Sequence, residues 1–228
     1  MEQSPSPSVV VPRDAATVAV VRDSADKSGI EVLLLRRTNR ATFVAGAHVF
    51  PGGAVDESDA ALDELLSHSQ THAPAGFATA AVRECFEEAG LLFAHHRQGR
   101  TPNADERTMW RGELARGELS FGALLEREQL LMDTASFRSW SRWVTPVGSP
   151  KRFDTRFFVA ISPIDQQASP DDTEITQCQW FRPRDALDAA DRNEMLLITP
   201  TRATLHGLRD FRSTHEVTIA VSNSQRLG

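Results

Sequence analysis

Cysteine is scarce in this sequence of 228 residues, which holds only Cys85 and Cys178, far apart and outside any metal-ligand spacing. No apolar run approaches the ~18 residues of a membrane span, and the first residues have neither the basic region nor the apolar stretch of a signal peptide. Positive charge is not in excess either, because the net charge is −6. We therefore expect a cytoplasmic protein with no membrane contact, and we regard nucleic acid as an unlikely partner because binding it normally needs a basic face.

Two common catalytic patterns are also missing. Cys85 has no accompanying order of histidine and acid that would make it a nucleophile, so we expect a small buried apolar side chain there. The segment 46–53 is rich in glycine but lacks the Gly-Lys-Ser/Thr ending of a phosphate-binding loop. The sequence therefore excludes two routes to catalysis and leaves the acidic residues as candidates.

Composition and periodicity predict one domain. Residues 1–13 are rich in serine and proline and are predicted to be a disordered leader, while 14–228, in a chain with 40% hydrophobic residues, can bury one core. The patterns predict strands at 16–22, 29–36, 47–50, 141–146, 155–162 and 177–182. They predict helices at 56–72, 77–89, 183–190 and 199–211, with two more surface helices between 101 and 132.

Three carboxylates in the helix predicted at 77–89 stand out. Glu84, Glu87 and Glu88 are spaced so that they share one face of a helix. Like charges so placed repel one another, and such a face attracts a hard divalent cation such as Mg2+. The alternative is an ordinary solvated acidic face. The glycines at 52 and 53 permit a tight backbone, and the carbonyl of Gly52 is a further candidate metal ligand.

The run from Arg83 to Leu91, Arg-Glu-Cys-Phe-Glu-Glu-Ala-Gly-Leu, resembles the second half of a Nudix box. The first half departs from that pattern, since 29 residues, 54–82, separate Gly53 from Arg83 where the pattern has 13. Where the pattern asks for its first glutamate the chain has Asp59, with Glu57 and Glu64 nearby, so the partner of Arg83 is open. We assign insertions at about 59–76, which we expect to form a flap along the cleft, and at about 101–132.

A long insertion inside the box is similar to one branch of the Nudix family, which includes a peroxisomal coenzyme A diphosphatase. The likeness continues through Phe50-Pro51-Gly52-Gly53 and later segments at 143–146, 152–158 and 174–183. It implies an α/β fold, a Nudix-like α/β/α sandwich around a mixed sheet with extra helices. It also implies metal-dependent hydrolysis of a diphosphate bond in a nucleoside diphosphate linked to another group, with coenzyme A or acyl-coenzyme A as the leading substrate.

The resemblance also implies roles for single residues. Catalysis would involve Arg83, Glu84, Glu87 and Glu174, and the metal ligands of Mg2+ or Mn2+ would be Gly52, Glu84, Glu87 and Glu88. Arg83 would orient a neighbouring carboxylate, while either Glu84 or the downstream acid Glu174 would be the general base. Glu174 could also be an ordinary loop residue.

Arginine matches phosphate oxygens bidentately. We therefore take Arg36, Arg37, Arg40 and Arg152 as candidates for substrate contact, each with an equal claim to be ordinary solvated surface. ADP-ribose, NADH, capped RNA ends and nucleoside triphosphates stay open as substrates, and so does a non-catalytic Nudix-like module that senses a nucleotide. A homodimer is also open.

Overall fold

The computed structural model describes residues 10–39, 44–67, 71 and 73–224. The helices are α1 (Phe77–Ala89), α2 (Ala104–Ala115), α3 (Phe121–Arg127), α4 (Pro183–Asp191), α5 (Thr199–Leu208) and α6 (Thr214–Ser224). The strands are β1 (Arg13–Asp23), β2 (Ile30–Arg37), β3 (His48–Val49), β4 (Gly52–Ala54), β5 (Leu66–Ser67), β6 (Ala94–His96), β7 (Leu130–Asp133), β8 (Arg138–Val144), β9 (Phe153–Ile161) and β10 (Ile175–Phe181). A 3-10 helix covers Ala60–Leu65.

The main sheet is mixed. Within the described residues it has seven strands, with β10, β2, β1, β9 and β8 side by side and with β3 and β4 attached to β2 and β1. The strands β1 and β9 run parallel, whereas the β1–β2, β2–β10 and β8–β9 pairs are antiparallel. Strand β4 lies against β1 with Gly53 opposite Ala16, and this places the glycine pair at the middle of the sheet.

Both faces of the main sheet are covered, because β1 and β2 carry apolar residues on both sides, a pattern typical of strands buried on two faces. Leu33 and Leu35 pack on the side of α1, α2 and α3. Leu34 and Val21 pack on the side of α4, α5 and α6. This is the α/β/α sandwich expected from the sequence, and the predicted fold class is confirmed.

The predicted strands and most predicted helices are present, with shifted ends. Helix α1 has the predicted bounds. Helix α5 ends at Leu208 rather than 211, and α6 and the short strands β5, β6 and β7, which form a second sheet, were missed. Arg13, the last residue of the predicted leader, belongs to β1; residues 1–9 lie outside the described part of the chain. No helix of the described residues is long and apolar enough to cross a membrane.

The prediction of an amphipathic helix at 56–72 was wrong. The chain instead forms the 3-10 helix and then β5, which pairs with β7. Leu62, Leu65 and Leu66 pack against the core on the α1 side. Asp63 accepts hydrogen bonds from the amide of Gly76 at 2.8 Å and from the hydroxyl of Thr79 at 2.6 Å. The described part of the insertion is thus bound to the start of α1 instead of forming the expected flap; residues 68–70 and 72 lie outside the description.

Candidate active site

Helix α1 carries the acidic residues and is fixed at both ends. It begins after Gly76 and ends at Gly90, both left-handed with φ of 83° and 69°, a conformation that glycine adopts without steric cost. Nearly all of its side chains are buried, including Cys85, as expected. This burial holds α1 in one orientation against the sheet and so sets the direction in which its acids project.

The glycine pair on β4 lets the backbone approach those acids closely. The amide of Gly52 donates a hydrogen bond of 2.9 Å to Oε2 of Glu88. A Cβ atom on Gly53 would lie only 2.4 Å from Oε1 of Glu84, and one on Gly52 would lie 2.4 Å from the carbonyl oxygen of Ala16. At Gly52 the obstacle is the backbone, so only glycine fits there, whereas at Gly53 a side chain would displace the Glu84 carboxylate from its position.

Arg83 is the centre of an ionic network on the same side of α1. Its guanidinium donates to both carboxylate oxygens of Asp59, from Nε at 3.0 Å and from Nη2 at 2.9 Å. Its Nη1 donates to Glu84 at 2.8 Å and to Glu87 at 3.4 Å, and its Nη2 also reaches the carbonyl of Ala54 at 2.9 Å. The structure therefore answers the question of the Arg83 partner: it is Asp59, whose side chain is fully buried.

The electrostatics of this network are unbalanced. Burial alone would lower the pKa of Arg83, but Asp59 and Glu84 outweigh burial and raise it. Burial raises the pKa of Glu84 to about 7, partly offset by Arg83. Burial also raises the pKa of Glu87, and it raises that of Glu88 to about 8, with repulsion from Glu84 adding to the effect. Arg83 and, acting on Glu88, Arg37 face the carboxylates of Asp59, Glu84, Glu87 and Glu88, and Asp56 also lies 3.6 Å from Arg83. Two arginines cannot neutralise these carboxylates, so the ionised site has a deficit of positive charge.

This donor set fits a divalent cation. In the described part of the chain no three His, Cys, Asp or Glu side chains already stand in an arrangement that could hold a metal ion. The carboxylate of Glu88 accepts from Gly52, and those of Glu84 and Glu87 accept from Arg83. The oxygen-only donors are nevertheless those that hard cations prefer. A bound cation would also supply the missing positive charge, since it reverses the local sign.

Glu174 lies on the far side of β2 from β1. It precedes β10, pairs with Arg37 at 3.3 Å and leaves 66% of its side chain exposed. Its charge acts on Glu88, as does that of Arg37. The structure thus brings Arg37 and Glu174 to the edge of the acid cluster and leaves Glu174 accessible to solvent.

The other arginine candidates are placed apart from the acids. Arg36 neighbours Arg37 on β2, and because successive side chains of a strand point to opposite faces, it lies on the other face of the sheet. Arg152 donates to the carbonyls of Thr145 at 3.0 Å and Val10 at 2.6 Å, so its guanidinium joins two backbone segments. Arg40 lies outside the described residues.

One residue that contacts the acidic helix was missed in the sequence. Arg111 on α2 donates from Nε to the carbonyl oxygen of Glu87 at 3.0 Å and from Nη1 to Ser169. A side chain that binds a carbonyl 24 positions away leaves no pattern in the sequence. The position of Asp59 in the box did indicate a partner for Arg83, but it did not distinguish Asp59 from the nearby Glu57 and Glu64.

Known proteins of the same fold define the class. A crystal structure of a Nudix hydrolase from Alicyclobacillus acidocaldarius superimposes with a TM-score of 0.82 and 32% identity, over 91% of this chain and 96% of that one. The chain belongs to the Nudix hydrolase family. The family and the enzyme class expected from the sequence are confirmed, and members of this family generally depend on a divalent metal.

A narrower branch is shown as well. The model of the NUDT19 Nudix domain matches residues 68–206. Acyl-coenzyme A diphosphatases NUDT19 from Xenopus laevis and Homo sapiens are 25% and 27% identical over 83% of the chain. The chain spans 62% and 63% of the length of these two relatives. The predicted resemblance to the branch with a long insertion is confirmed.

Removing the partner of Arg83 should destabilise the fold. Asp59→Asn leaves a buried guanidinium without its bidentate carboxylate, and we expect a loss of about 3–5 kcal/mol in the free energy of unfolding. Urea denaturation measures it. The control is Glu57→Gln, an exposed acid two positions away, which should change stability by no more than about 0.5 kcal/mol. Equal stability of Asp59→Asn and the wild type would refute the structural role.

The acid cluster should make the stability of the metal-free protein depend on pH. The pKa values of Glu84 (about 7) and Glu88 (about 8) in the folded state lie above the ordinary 4.5. Between the ordinary pKa of 4.5 and the raised value of about 8, the folded protein holds more protons than the unfolded chain. The free energy of unfolding therefore falls as pH rises through that window. We expect Tm in EDTA to decrease from pH 5 to pH 8, and Mg2+ or Mn2+ to reduce the decrease. A slope that is unchanged in the Glu84→Gln, Glu88→Gln double variant would contradict this.

Proposed function

We propose that the chain is a metal-dependent diphosphatase that cleaves the diphosphate bond of coenzyme A or an acyl-coenzyme A. Water would attack one phosphorus and the bridging P–O bond would break, giving adenosine 3',5'-bisphosphate and a phosphopantetheine. The observation that carries the proposal is a cluster of three carboxylates with too little positive charge. The buried Glu88 and the half-buried Glu84 lie against the Gly52–Gly53 backbone, and Glu87 lies beside them on Arg83. The names of the NUDT19 relatives support the choice of substrate.

The proposed chemistry assigns a task to each part of the site. When bound, Mg2+ or Mn2+ would polarise the phosphoryl oxygens and lower the pKa of the attacking water. Glu84, Glu87, Glu88 and the carbonyl of Gly52 would hold the cation. Arg83, fixed by Asp59, would orient Glu84 and Glu87. Arg37 would meet the substrate diphosphate, as its Nε has no hydrogen-bond partner among the described residues.

The attacking water also needs a proton acceptor, and Glu84 is our candidate. Its carboxylate lies in the acid cluster, where the cation would hold that water, and geometry comes before pKa in the choice of a base. The pKa of about 7 belongs to the metal-free protein and would fall when a cation binds. Glu174 is the alternative, since its exposed carboxylate borders the cluster and, among the described residues, has only the long contact with Arg37. That Arg36 and Arg152 contact the substrate stays a prediction. Arg36 lies on the other face of the sheet from Arg37, and the Arg152 guanidinium is bound to two backbone carbonyls, and both observations argue against a substrate contact.

A substrate screen tests the proposed function. Coenzyme A, acetyl-coenzyme A, ADP-ribose, NADH, a capped RNA and nucleoside triphosphates are each incubated with Mg2+ or Mn2+, and both products are followed by chromatography. We expect the fastest hydrolysis for the coenzyme A compounds. Faster cleavage of another conjugate would replace the substrate, and hydrolysis of none would favour the nucleotide-sensing module.

The metal ligands should be essential for turnover. Glu87→Gln and Glu88→Gln each remove a charged ligand, and we expect each to lower kcat by about 100-fold or more and to raise the Mg2+ concentration needed for half-maximal rate. The control is Glu118→Gln, an exposed acid paired with Arg116. Near wild-type rates at low Mg2+ in either variant would refute the ligand assignment.

The general base should be visible in pH profiles. In the variant that lacks the base, rising pH should partly restore the rate, because hydroxide replaces the missing proton acceptor. We expect this recovery for Glu84→Gln and a profile parallel to the wild type for Glu174→Gln. Recovery in Glu174→Gln alone would transfer the role to Glu174, and flat profiles for both would exclude either as the base.

A further inference from the structure

A cleft of about 770 Å3 opens beside the acid cluster, between α2 and the segment 165–173. Glu87 and Gly90 line it at the end of α1, and Arg107 and Arg111 line it from α2. Its size lies in the ordinary range for small-molecule sites, about 300–1,000 Å3. A substrate whose diphosphate lies at Glu87 would therefore have room to extend along α2.

Arg111 presents an unused donor at this cleft. Its Nε and Nη1 are taken by the carbonyl of Glu87 and by Ser169. Its Nη2 is buried and has no hydrogen-bond partner among the described residues. A buried donor left without an acceptor costs about 1–3 kcal/mol. An anion drawn to this guanidinium from the cleft would relieve that cost once a small movement of the side chain makes Nη2 accessible.

Arg107 lies one helical turn before Arg111 and therefore on the same face of α2. Its Nη1 donates to the carbonyl of Pro102 at 2.6 Å. Among the described residues, neither Arg107 nor Arg111 forms an ion pair. Three other arginines nearby in the sequence do form one: Arg100 with Glu106, Arg116 with Glu118 and Arg127 with Glu113. Two arginines that line the cleft thus have no carboxylate partner among the described residues.

We propose that Arg107 and Arg111 form a binding site for a phosphate monoester of the substrate, the 3'-phosphate on the ribose of coenzyme A. This rests on the proposed function, since the adenosine half of coenzyme A is the half that carries a phosphate in addition to the scissile diphosphate. The guanidinium groups would donate to the oxygens of that dianion, as arginine forks do with phosphate. The site selects coenzyme A compounds over conjugates that lack the third phosphate.

Acidic residues at the cleft do not remove this preference. Asp171 accepts from the backbone amides of Thr173, Glu174 and Ile175 and from the Thr173 hydroxyl, so its carboxylate is used to shape the loop. Asp165 lines the cleft without an ion pair to Arg107 or Arg111. Recognition therefore depends on the two arginine forks at short range and not on the overall charge of the cleft.

The test compares coenzyme A with dephospho-coenzyme A, which lacks only the 3'-phosphate. For Arg107→Gln we expect KM for coenzyme A to rise about 10-fold, as one charged hydrogen bond predicts, with KM for dephospho-coenzyme A and both kcat values unchanged. Arg116→Gln, directly after the same helix and paired with Glu118, is the control. An equal rise on both substrates would show that Arg107 contacts the diphosphate, and no rise would show no contact; each overturns the proposal.

Binding provides a readout that is independent of turnover. Adenosine 3',5'-bisphosphate and adenosine 5'-monophosphate are titrated into the wild type and Arg107→Gln by calorimetry. We expect the wild type to bind the bisphosphate about 10-fold more tightly, and the variant to lose that difference. Equal binding of both nucleotides by the wild type would refute the phosphate site. Absence of coenzyme A hydrolysis combined with the expected binding difference would refute the proposed function alone.

Arg111 is tested separately because it also supports the end of α1. Arg111→Lys keeps the charge but cannot form the same fork. We expect it to reduce the preference for the bisphosphate while the circular dichroism spectrum stays that of the wild type. An unchanged preference in a folded Arg111→Lys variant would remove Arg111 from the site.

Discussion

The bidentate pairing of Arg83 with Asp59 is the interaction on which the site depends. It joins α1 to the chain just after β4, and the same guanidinium then reaches Glu84 and Glu87. Without this pairing, nothing would hold the Arg83 guanidinium beside Glu84 and Glu87, where its positive charge partly offsets the rise in their pKa values caused by burial. A buried pair of this kind adds little net stability compared with apolar packing, but breaking it is costly. Its value here is that it fixes where the acids point.

The insertion inside the box supports the same arrangement. Asp63 binds the amide of Gly76 and the hydroxyl of Thr79 at the start of α1, while Leu62 packs against Gly122 of α3. The inserted residues that the structure describes therefore connect the acidic helix to α3 and, through β5, to the second sheet. A long excursion between Asp59 and Arg83 is tolerated because Asp59 itself remains directly beside Arg83.

The sequence predicts those features whose signal is local. The bounds of α1 follow from its apolar period and its terminal glycine, and the acid cluster follows from the spacing of Glu84, Glu87 and Glu88, although its metal role stays a prediction. Strands β5 to β7 have two to four residues each, too few for a periodic pattern. The contact of Arg111 with Glu87 joins a side chain to a carbonyl, and the sequence of the two residues contains no trace of it.

The end of α1 and the residues just after it are held through their backbone, and this has a consequence for ligand binding. Arg111 holds the carbonyl of Glu87, the amide of Ser169 holds the carbonyl of Ala89, and the side chain of Gln166 bonds both the amide and the carbonyl of Leu92. These contacts fix the end of α1 without occupying any carboxylate. The contacts that do occupy carboxylates, from Arg83 and the Gly52 amide, end on glutamate side chains and not on the backbone of α1. Under the proposed metal role, a change of partner at these carboxylates would therefore leave the backbone of the helix that carries them in place.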